Sequence, residues 1–274
     1  MSKPIKVIVT TGYGTNCEME MAHACRLAGA DKVDIVHLSD LLDGSVDLHS
    51  YHFLNLPGGF LDGDNLGAAQ AGANRIRHAT VSNTGKTLFE HILEFIKEGG
   101  VILGVCNGFQ LMVKSGLLPG IDSNYSKREV SLTWNDSGKF EDRWVTLKIL
   151  GMSRCIFTKG IDTIELPIRH GEGKFVTLNK DIISKIKDNN QIAMQYVDDK
   201  EEPTDRYPFN PNGSEEAIAG ICDPSGRIMG LMPHPEAFTH STNHPTWTRH
   251  KVDESGAGLA LFVNAIDYIR SNVV

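Results

Sequence analysis

The feature that most constrains the fold of this chain is an apolar run over residues 101–105 that ends at a glycine-flanked cysteine. The sequence there reads Gly104-Val105-Cys106-Asn107-Gly108. A run that is apolar at every position is typical of a central parallel strand, because such a strand is buried on both faces. Phe109 and Met112, three residues apart, then begin a helical pattern. We therefore predict a buried strand that turns sharply at Cys106 into a helix.

Short β-branched runs alternate with longer amphipathic stretches through the first 120 residues. The predicted strands cover 6–11, 33–37, 52–56 and 101–105, and the predicted helices cover 17–28 and 86–98. Asn16 is a candidate N-cap for the first helix, which Gly29 ends. The alternation predicts an α/β fold with an open, mostly parallel sheet flanked by helices on both faces. The cysteine elbow would then lie at the carboxyl end of a strand.

The second half of the chain is richer in strand patterns. Extended runs cover 144–150, 192–196, 218–222 and 228–232, and a final helix covers 258–269. A polar stretch over 197–215, rich in Asp, Glu, Pro and Asn, is interpreted as a surface insertion. We find neither an internal repeat nor a linker, and therefore predict a single domain over residues 1–274.

Charge and cysteine content exclude several classes of partner and site. The net charge is -7, which offers no electrostatic reason to expect nucleic acid or an anionic membrane surface as a partner. Five cysteines without a C-x-x-C pair suit neither a disulfide framework nor a structural zinc site. The apolar run near the N-terminus is too short for a signal peptide or a membrane span. We therefore expect a cytoplasmic protein.

The elbow at Cys106 allows two interpretations. It could be a buried structural cysteine followed by an ordinary helix, since short patterns of this kind also occur by chance. It could also be the cysteine version of a nucleophile elbow, in which small neighbours let the sulfur stand clear of the backbone. The unpaired N–H groups and positive end of the following helix would then favour a negatively charged sulfur.

A second segment, Met232-Pro233-His234-Pro235-Glu236, follows the predicted strand over 228–232. Prolines push the residues before them toward extended backbone, and in an extended segment His234 and Glu236 project to the same side. A carboxylate beside an imidazole fixes its tautomer and stabilises the imidazolium. Alone, this segment could be a surface turn. Together with the elbow it predicts a Cys-His-Glu triad of nucleophile, base and orienting carboxylate.

A third segment, Leu56-Pro57-Gly58-Gly59-Phe60, also comes directly after a predicted strand. Paired glycines leave bare backbone N–H groups that can point at a developing oxyanion. The partner donor would be the N–H of Asn107, immediately after the nucleophile. A plain turn is the alternative interpretation, because Gly-Gly pairs are common.

These motifs together resemble those of the class I, or triad, glutamine amidotransferases, and more narrowly the glutaminase parts of phosphoribosylformylglycinamidine synthases. The resemblance covers about residues 6–269. It rests on six stretches: Gly14-Thr-Asn16-Cys-Glu18, Leu56-Pro-Gly-Gly-Phe-x-x-Gly-Asp64, Gly104-Val-Cys-Asn-Gly-Phe-Gln110, Asn135-Asp-Ser-Gly-Lys-Phe140-Glu-Asp-Arg143-Trp144, His170-Gly-Glu-Gly173 and Pro233-His-Pro-Glu236. Each is short, but their common order makes chance agreement hard to sustain.

The resemblance implies a role for each matching residue. Cys106 would attack the glutamine side-chain amide, and the N–H groups of Gly59 and Asn107 would hold the tetrahedral oxyanion. His234, oriented by Glu236, would protonate the leaving ammonia and then activate the water that hydrolyses a glutamyl thioester. The residues implied at the glutamine pocket are Gly58, Gln110, Asn135 and Phe140.

The resemblance also implies partners. We find no ATP-binding motif in this chain and expect no cofactor in it. ATP and Mg²⁺ are instead expected on a separate synthetase subunit, to which ammonia passes. That subunit would convert formylglycinamide ribonucleotide to formylglycinamidine ribonucleotide in de novo purine biosynthesis, and a small third subunit would bridge the two.

Three alternative functions stay open at this point. The chain could be a glutaminase that serves another synthetase, which ammonia transfer to candidate partners would reveal. It could be a cysteine hydrolase of similar architecture that acts on peptides or small aldehydes. It could also be a regulatory scaffold that keeps the fold without the chemistry, although the complete triad argues against that.

Other motifs fail on closer reading, and we expect no metal site. Gly85-Lys86-Thr87 lacks the earlier glycine and the strand of a phosphate-binding loop. Asp62 and Asp64 resemble the start of a calcium loop that lacks a later oxygen ligand. Gly12-x-Gly14 lacks the third glycine of a dinucleotide fingerprint. Three histidines, His240, His244 and His250, are interpreted as part of a loop near the mouth of the active site rather than as a helical zinc site, because Pro245 disfavours a helix.

Overall fold

The chain is organised around a nine-stranded sheet, with a two-stranded sheet beside it. This computed structural model describes residues 3–249 and 255–274, so that His250 lies outside the described residues. The strands are β1 (Lys6–Thr11), β2 (Lys32–His37), β3 (Phe53–Leu56), β4 (Val101–Val105), β5 (Val130–Thr133), β6 (Glu141–Lys148), β7 (Thr163–His170), β8 (Lys174–Thr177), β9 (Ile192–Tyr196), β10 (Ile218–Cys222) and β11 (Ile228–Leu231). The α-helices are α1 (Glu18–Leu27), α2 (Leu38–Asp43), α3 (Gln70–His78), α4 (Leu88–Lys97), α5 (Asn107–Ser115), α6 (Lys180–Asp188) and α7 (Leu259–Asn272).

The large sheet has the strand order β2-β1-β3-β4-β11-β10-β9-β6-β7. Neighbours from β2 to β11 pair in parallel. Neighbours from β11 to β7 pair antiparallel, so these strands extend the sheet on one side. Strands β3 and β4 are buried at every position, as the apolar run at 101–105 predicts. The predicted α/β class is confirmed.

The helices that flank the sheet form two groups. Helices α1 and α7 contact each other, whereas α3 contacts α4 and α5. Helix α4 begins with a capping box of Thr87 and Glu90, and it buries Phe95 in the hydrophobic core. Full burial of one such apolar side chain contributes about 1.5–3 kcal/mol. Among the described helices, none combines the length and the apolar character that crossing a membrane requires.

The three segments that carry the predicted catalytic groups follow neighbouring parallel strands. Strand β3 ends at Leu56, β4 at Val105 and β11 at Leu231. Leu56 is in register with Gly104, and Leu231 is in register with Val105, so the three strands end at one edge of the sheet. The carboxyl ends of parallel strands are where open α/β sheets bind ligands.

The small sheet consists of β5 and β8, and it lies beside this edge. Helix α5, which follows the elbow, packs against β5. The loop over 134–140 follows β5, and the turn over 171–173 links β7 to β8. Both connections contribute residues to the cavity described below.

The predicted cap of the first helix was wrong. Helix α1 has Cys17 at its N-cap position, without a side-chain hydrogen bond to the helix. The Asn16 side chain instead accepts a hydrogen bond from the Cys17 thiol at 3.2 Å. The backbone N–H groups of both residues donate to the Gly58 carbonyl at 3.3 Å. The helix start is therefore tied to the glycine turn after β3.

The polar segment over 197–215 has an outer part and an inner part. Residues 199–208 are mostly exposed, whereas Asn210, Asn212 and Ser214 are buried. The Asn212 side chain donates to the Gly173 carbonyl at 2.7 Å, and the Ser214 hydroxyl accepts from the Phe175 N–H at 2.9 Å. The end of the segment thus supports the turn between β7 and β8.

Candidate active site

Cys106 lies where β4 turns into α5, in a strained backbone conformation. Its φ of 51° and ψ of -104° are unusual for a residue with a side chain. A side chain at Gly108 would collide with the Leu56 carbonyl, and one at Gly104 would collide with the Met112 side chain. The two glycines therefore let helix and strand approach closely enough to form the predicted elbow.

The Cys106 thiol lies at the start of α5, where backbone N–H groups lack intrahelical acceptors. Its Sγ donates to the Arg169 carbonyl oxygen at 3.6 Å. The Cys106 N–H donates to the Leu231 carbonyl at 2.8 Å, so the nucleophile position is also tied to the end of β11. Three strands thereby hold this one residue.

His234 and Glu236 form a buried pair immediately beyond β11. Nδ1 of His234 lies 2.6 Å from Oε1 of Glu236, and both side chains are almost completely shielded from solvent. Burial lowers the pKa of His234, but the Glu236 carboxylate, together with the Cys106 and Cys17 thiols, outweighs burial and raises that pKa well above its usual value. Nε2 has no hydrogen-bond partner among the described residues. One imidazole nitrogen is thus hydrogen-bonded to a carboxylate, whereas the other is unpartnered among the described residues.

Gly59, one of the two candidate oxyanion donors, has a φ of 141°, which only glycine adopts readily. A side chain there would meet the Gly14 carbonyl at 2.6 Å and the Thr15 Cα at 2.8 Å. Gly58 is equally confined, since a side chain there would lie 2.8 Å from the His234 ring and 3.2 Å from the Cys17 sulfur. Both glycines are therefore required by close packing around the predicted catalytic groups.

The side chain of Asn107 connects the elbow to its surroundings. Its Oδ1 accepts from the Leu61 N–H at 3.0 Å, and its Nδ2 donates to Gln110 at 3.0 Å. Gln110 in turn donates to the Glu172 carbonyl at 2.6 Å. This chain of hydrogen bonds links the glycine turn, the nucleophile helix and the turn after β7.

A cavity of about 440 Å³ opens beside Cys106 and His234. Gln110 and Phe140, both predicted as pocket residues, line it, and so does Gly59. The structure places Gly58 and Asn135 behind the wall instead. Further wall residues, to which the sequence analysis gave no individual role, are Trp134, Lys139, Arg169, His170 and Glu172.

Asn135 holds two parts of the wall together. Its Nδ2 donates to the Lys139 carbonyl at 2.9 Å and to the His170 carbonyl at 2.8 Å. Its Oδ1 accepts from the Gly173 N–H at 3.0 Å. Asn135 thus fixes the 134–140 loop against the turn after β7, without itself lining the cavity.

His170 lies on the cavity wall as a neutral imidazole. Its pKa is lowered to about 3, first by burial and then by the positive charge of His234. Its Nδ1 lies 3.2 Å from Oδ1 of Asn135, an atom that can only accept, so Nδ1 carries the proton. Nε2 is buried and has no hydrogen-bond partner among the described residues.

A second thiol, Cys17, also belongs to the site. Its Sγ lies 4.0 Å from Nδ1 of His234, and it lines the cavity. Ligand atoms of Cys17, His234 and Glu236 all lie within 4.8 Å of one another, a set that could hold a soft divalent cation. The sequence analysis named Cys17 only within the stretch Gly14-Thr-Asn16-Cys-Glu18, because a cysteine at a helix start does not by itself indicate a functional site.

His240 and His244 follow the His234–Glu236 pair along the chain. Residues 241–243 form a single 3₁₀ turn, and the His244 ring packs against Trp144 and Phe238. His244 also pairs with Glu165 at 3.0 Å. Neither His240 nor His244 lines the cavity. That their loop lies near the mouth of the active site stays a prediction.

Comparison with known proteins identifies the family. Residues 4–269 match the model of the CobB/CobQ-like glutamine amidotransferase domain. The chain is 43% identical to a phosphoribosylformylglycinamidine synthase subunit PurQ of Methanococcus maripaludis, over 97% of each chain. It is 41% identical to the PurQ subunit of Dehalococcoides mccartyi, over 98% of this chain and 99% of that one. A chain in the structure of PurLQS from Thermotoga maritima superimposes with a TM-score of 0.70 at 27% identity, over 97% of this chain and 100% of that chain.

These matches extend over nearly the whole chain, and they agree with the resemblance that the sequence motifs predict. The matched residues 4–269 include the strands of both sheets and the elbow at Cys106. The chain therefore belongs to the CobB/CobQ-like glutamine amidotransferases and, within them, to the PurQ subunits of phosphoribosylformylglycinamidine synthase.

Proposed function

We propose that this chain hydrolyses glutamine to glutamate and ammonia at Cys106 and supplies the ammonia to a synthetase subunit. That subunit would use ATP to convert formylglycinamide ribonucleotide to formylglycinamidine ribonucleotide in de novo purine biosynthesis. The observation that carries this proposal is the position of Cys106: a strained cysteine at the carboxyl edge of the sheet, beside the His234–Glu236 pair and open to a cavity.

The first half of the reaction forms a thioester. The Cys106 thiol passes its proton to Nε2 of His234, and the sulfur attacks the side-chain amide carbon of glutamine. The carbonyl oxygen becomes an oxyanion that accepts from the N–H groups of Gly59 and Asn107. The raised pKa of His234 favours an imidazolium, which donates its Nε2 proton to the leaving nitrogen. The carbon–nitrogen bond then breaks, ammonia leaves, and a γ-glutamyl thioester remains on Cys106.

The second half hydrolyses that thioester. His234, now neutral at Nε2, takes a proton from a water molecule, and the resulting hydroxide attacks the thioester carbon. The carbon–sulfur bond breaks, glutamate leaves, and His234 returns the proton to the sulfur, which restores the thiol. Glu236 accepts from Nδ1–H throughout, so Nε2 always faces the reacting atoms.

The cavity wall suits a small zwitterionic substrate. Arg169 and Glu172 place charges of both signs on it. Gln110 and Phe140 are proposed to contact the glutamine directly. Gly58 and Asn135 would not contact the glutamine. Gly58 leaves room for the catalytic groups, and Asn135 fixes two segments of the wall.

Partners and location follow from the same proposal. ATP and Mg²⁺ would bind to the synthetase subunit, with no cofactor in this chain, and a small third subunit would bridge the two. The related Thermotoga maritima chain comes from the structure of PurLQS, a name that supports an assembly of several subunits. The five cysteines are all unpaired, which suits a reducing cytoplasm.

Covalent labelling tests the glutaminase step. The protein would be treated with a diazo-ketone analogue of glutamine, digested and analysed by mass spectrometry. We expect one adduct on Cys106 that excess glutamine suppresses and that Cys106→Ala lacks. Cys17→Ser serves as the matched control, because it removes the neighbouring thiol and should keep the adduct. Labelling of Cys17 alone, or no labelling at all, would contradict the proposal.

Ammonia transfer tests the partner. Purified candidate synthetases would be supplied with glutamine and this chain, and product formation would be compared with that from added ammonium salt. We expect glutamine-dependent product only with the formylglycinamide ribonucleotide synthetase. Transfer to a synthetase for another nucleotide would instead support the related alternative function. Turnover of peptides or small aldehydes without labelling by the glutamine analogue would favour a cysteine hydrolase.

A further inference from the structure

We propose that His49, His91 and Glu94 form a binding site for a zinc-type divalent cation, remote from the active site. His49 lies in a 3₁₀ turn over Leu48–Ser50, just before β3 begins, whereas the active site lies beyond the end of β3. His91 and Glu94 lie on α4. Among the described residues, this is one of two places where three potential metal ligands lie within 4.8 Å of one another; the other is Cys17, His234 and Glu236.

The spacing of the two imidazoles is the first observation. Nε2 of His49 lies 3.2 Å from Nδ1 of His91. Two nitrogen ligands on a tetrahedral zinc ion, each about 2.0–2.1 Å from the metal, are separated by roughly 3.3 Å. The pair therefore already has the separation of adjacent ligands on one ion.

The second observation is that each outer nitrogen already has a hydrogen-bond partner. Nδ1 of His49 lies 2.7 Å from the Glu98 carboxylate, and Nε2 of His91 lies 2.8 Å from the Thr84 hydroxyl. Histidines that bind metals almost always donate their other N–H to a carboxylate or a similar acceptor, which sets the tautomer and the ring orientation. Here that arrangement leaves the lone pairs of both inner nitrogens available to one cation.

Glu94 supplies the third ligand. Its Oε2 lies 4.0 Å from Nε2 of His49 and from Nδ1 of His91, so the carboxylate needs only a small side-chain movement to share the ion. Its other oxygen pairs with Lys86 at 2.6 Å. Two imidazoles and one carboxylate are a ligand set that zinc accepts, with water in the fourth position. Bound there, the cation would fasten the turn before β3 to α4.

The sequence alone could not reveal this group. His49 and His91 are 42 residues apart and belong to different elements. Only the packing of the turn against α4 brings them together. The same side chains could also form a metal-free chain of hydrogen bonds, in which His91 donates from Nδ1 to Nε2 of His49. A measurement of metal binding distinguishes the cation site from this metal-free chain of hydrogen bonds.

Zinc titration of the full chain tests the site. The background variant would carry Cys17→Ser and Cys106→Ala, so that the active-site thiols take no metal. After removal of metal with a chelator, zinc would be titrated against a chromophoric competitor. We expect one equivalent of zinc to bind, and His49→Gln or His91→Gln to weaken binding by at least roughly 100-fold. The matched control His23→Gln changes an exposed histidine of α1 and should leave binding unchanged.

A second variant and a spectroscopic readout exclude a mere loss of folding. Glu98→Gln changes an exposed carboxylate that would only orient His49, and we expect it to weaken binding by roughly 10–100-fold. Cobalt in place of zinc should give the visible bands of a tetrahedral ion without a thiolate charge-transfer band. Equal zinc affinity in His49→Gln and the background protein, or no zinc bound by the background protein, would overturn the proposal. Either result would leave the glutaminase function untouched.

Discussion

The parallel and the antiparallel parts of the sheet contribute differently to the active site. The parallel strands β3, β4 and β11 place the glycine turn, Cys106 and the His234–Glu236 pair at one edge. The antiparallel strand β7 and the small sheet instead supply much of the cavity wall, through Arg169, His170 and the loop over 134–140. The predicted catalytic groups thus follow buried parallel strands, whereas the cavity wall is formed by the end of β7 and by loops around the small sheet.

This contrast leads to an ordered set of expectations. Changes at the parallel edge should lower kcat, because they remove groups that act in the transition state. Changes in the wall should act more on KM, because they alter how glutamine is positioned.

The largest effect is expected for Cys106→Ala. Without the sulfur no thioester can form, so glutaminase activity should fall by at least roughly 10⁴-fold. Steady-state glutamate release, measured with the synthetase partner present, checks this. Cys155→Ala is the control, since it removes a buried cysteine outside the cavity. Substantial activity in Cys106→Ala would show that Cys106 at the parallel edge is not the nucleophile.

Glu236→Gln should be the next most damaging change. The amide keeps the shape of the carboxylate but can present an N–H to Nδ1, which would stabilise the wrong tautomer of His234. We expect kcat to fall on the order of 10³-fold with little change in KM. A fall confined to KM would mean that Glu236 acts through the pocket rather than through His234.

The same pair should make stability depend on pH. Because the folded-state pKa of His234 is raised, its charged pair with Glu236 contributes fully to stability below the unfolded pKa of about 6.5. That contribution is lost as the pH rises through the folded pKa. Chemical unfolding of wild type and Glu236→Gln at a series of pH values checks this. We expect the difference in free energy of unfolding to shrink at alkaline pH, and a constant difference would contradict it.

A smaller effect is expected in the wall. Asn135→Ala removes the hydrogen bonds that join the 134–140 loop to the turn after β7, while the wall residues themselves remain. We expect KM for glutamine to rise roughly tenfold, corresponding to about 1.4 kcal/mol, with a smaller change in kcat. Initial rates over a range of glutamine concentrations measure the two separately. If kcat falls as in Glu236→Gln, wall and catalytic edge are not separable.

The smallest effect is expected for Cys17→Ser. The hydroxyl keeps a hydrogen-bond donor near Nδ1 of His234, whose main partner is Glu236. We expect kcat to change by less than roughly threefold, since the orienting bond is intact. A loss comparable to that of Glu236→Gln would show that the second thiol helps to set the imidazole.

The sequence predicts the parallel edge much better than the wall. Strand β4 begins and ends where its apolar pattern predicts, and the bounds of β3 and β11 differ by one residue from their predicted ranges. Each catalytic segment follows such a strand, so strand-end geometry brings distant motifs together. These positions could be inferred because burial leaves a clear pattern in the residues.

The wall left no comparable signal. Strand β7 contains Pro167 and the charged residues Glu165 and Arg169, which obscure its strand pattern. For this reason the sequence did not place His170 at a strand end. Strands β5 and β8 are as short as β3 but only partly buried, so they lack its continuous apolar run. The Asn16 cap failed because backbone bonds to Gly58, rather than helix capping, determine that turn.

The strained backbone of Cys106 has a consequence for how the protein could change over time. A conformation with φ of 51° and ψ of -104° is far easier for glycine, so Cys106→Gly would relieve strain of about 1–3 kcal/mol while destroying the nucleophile. At this position, relief of backbone strain and the proposed activity therefore oppose each other, which is the usual trade-off between stability and function.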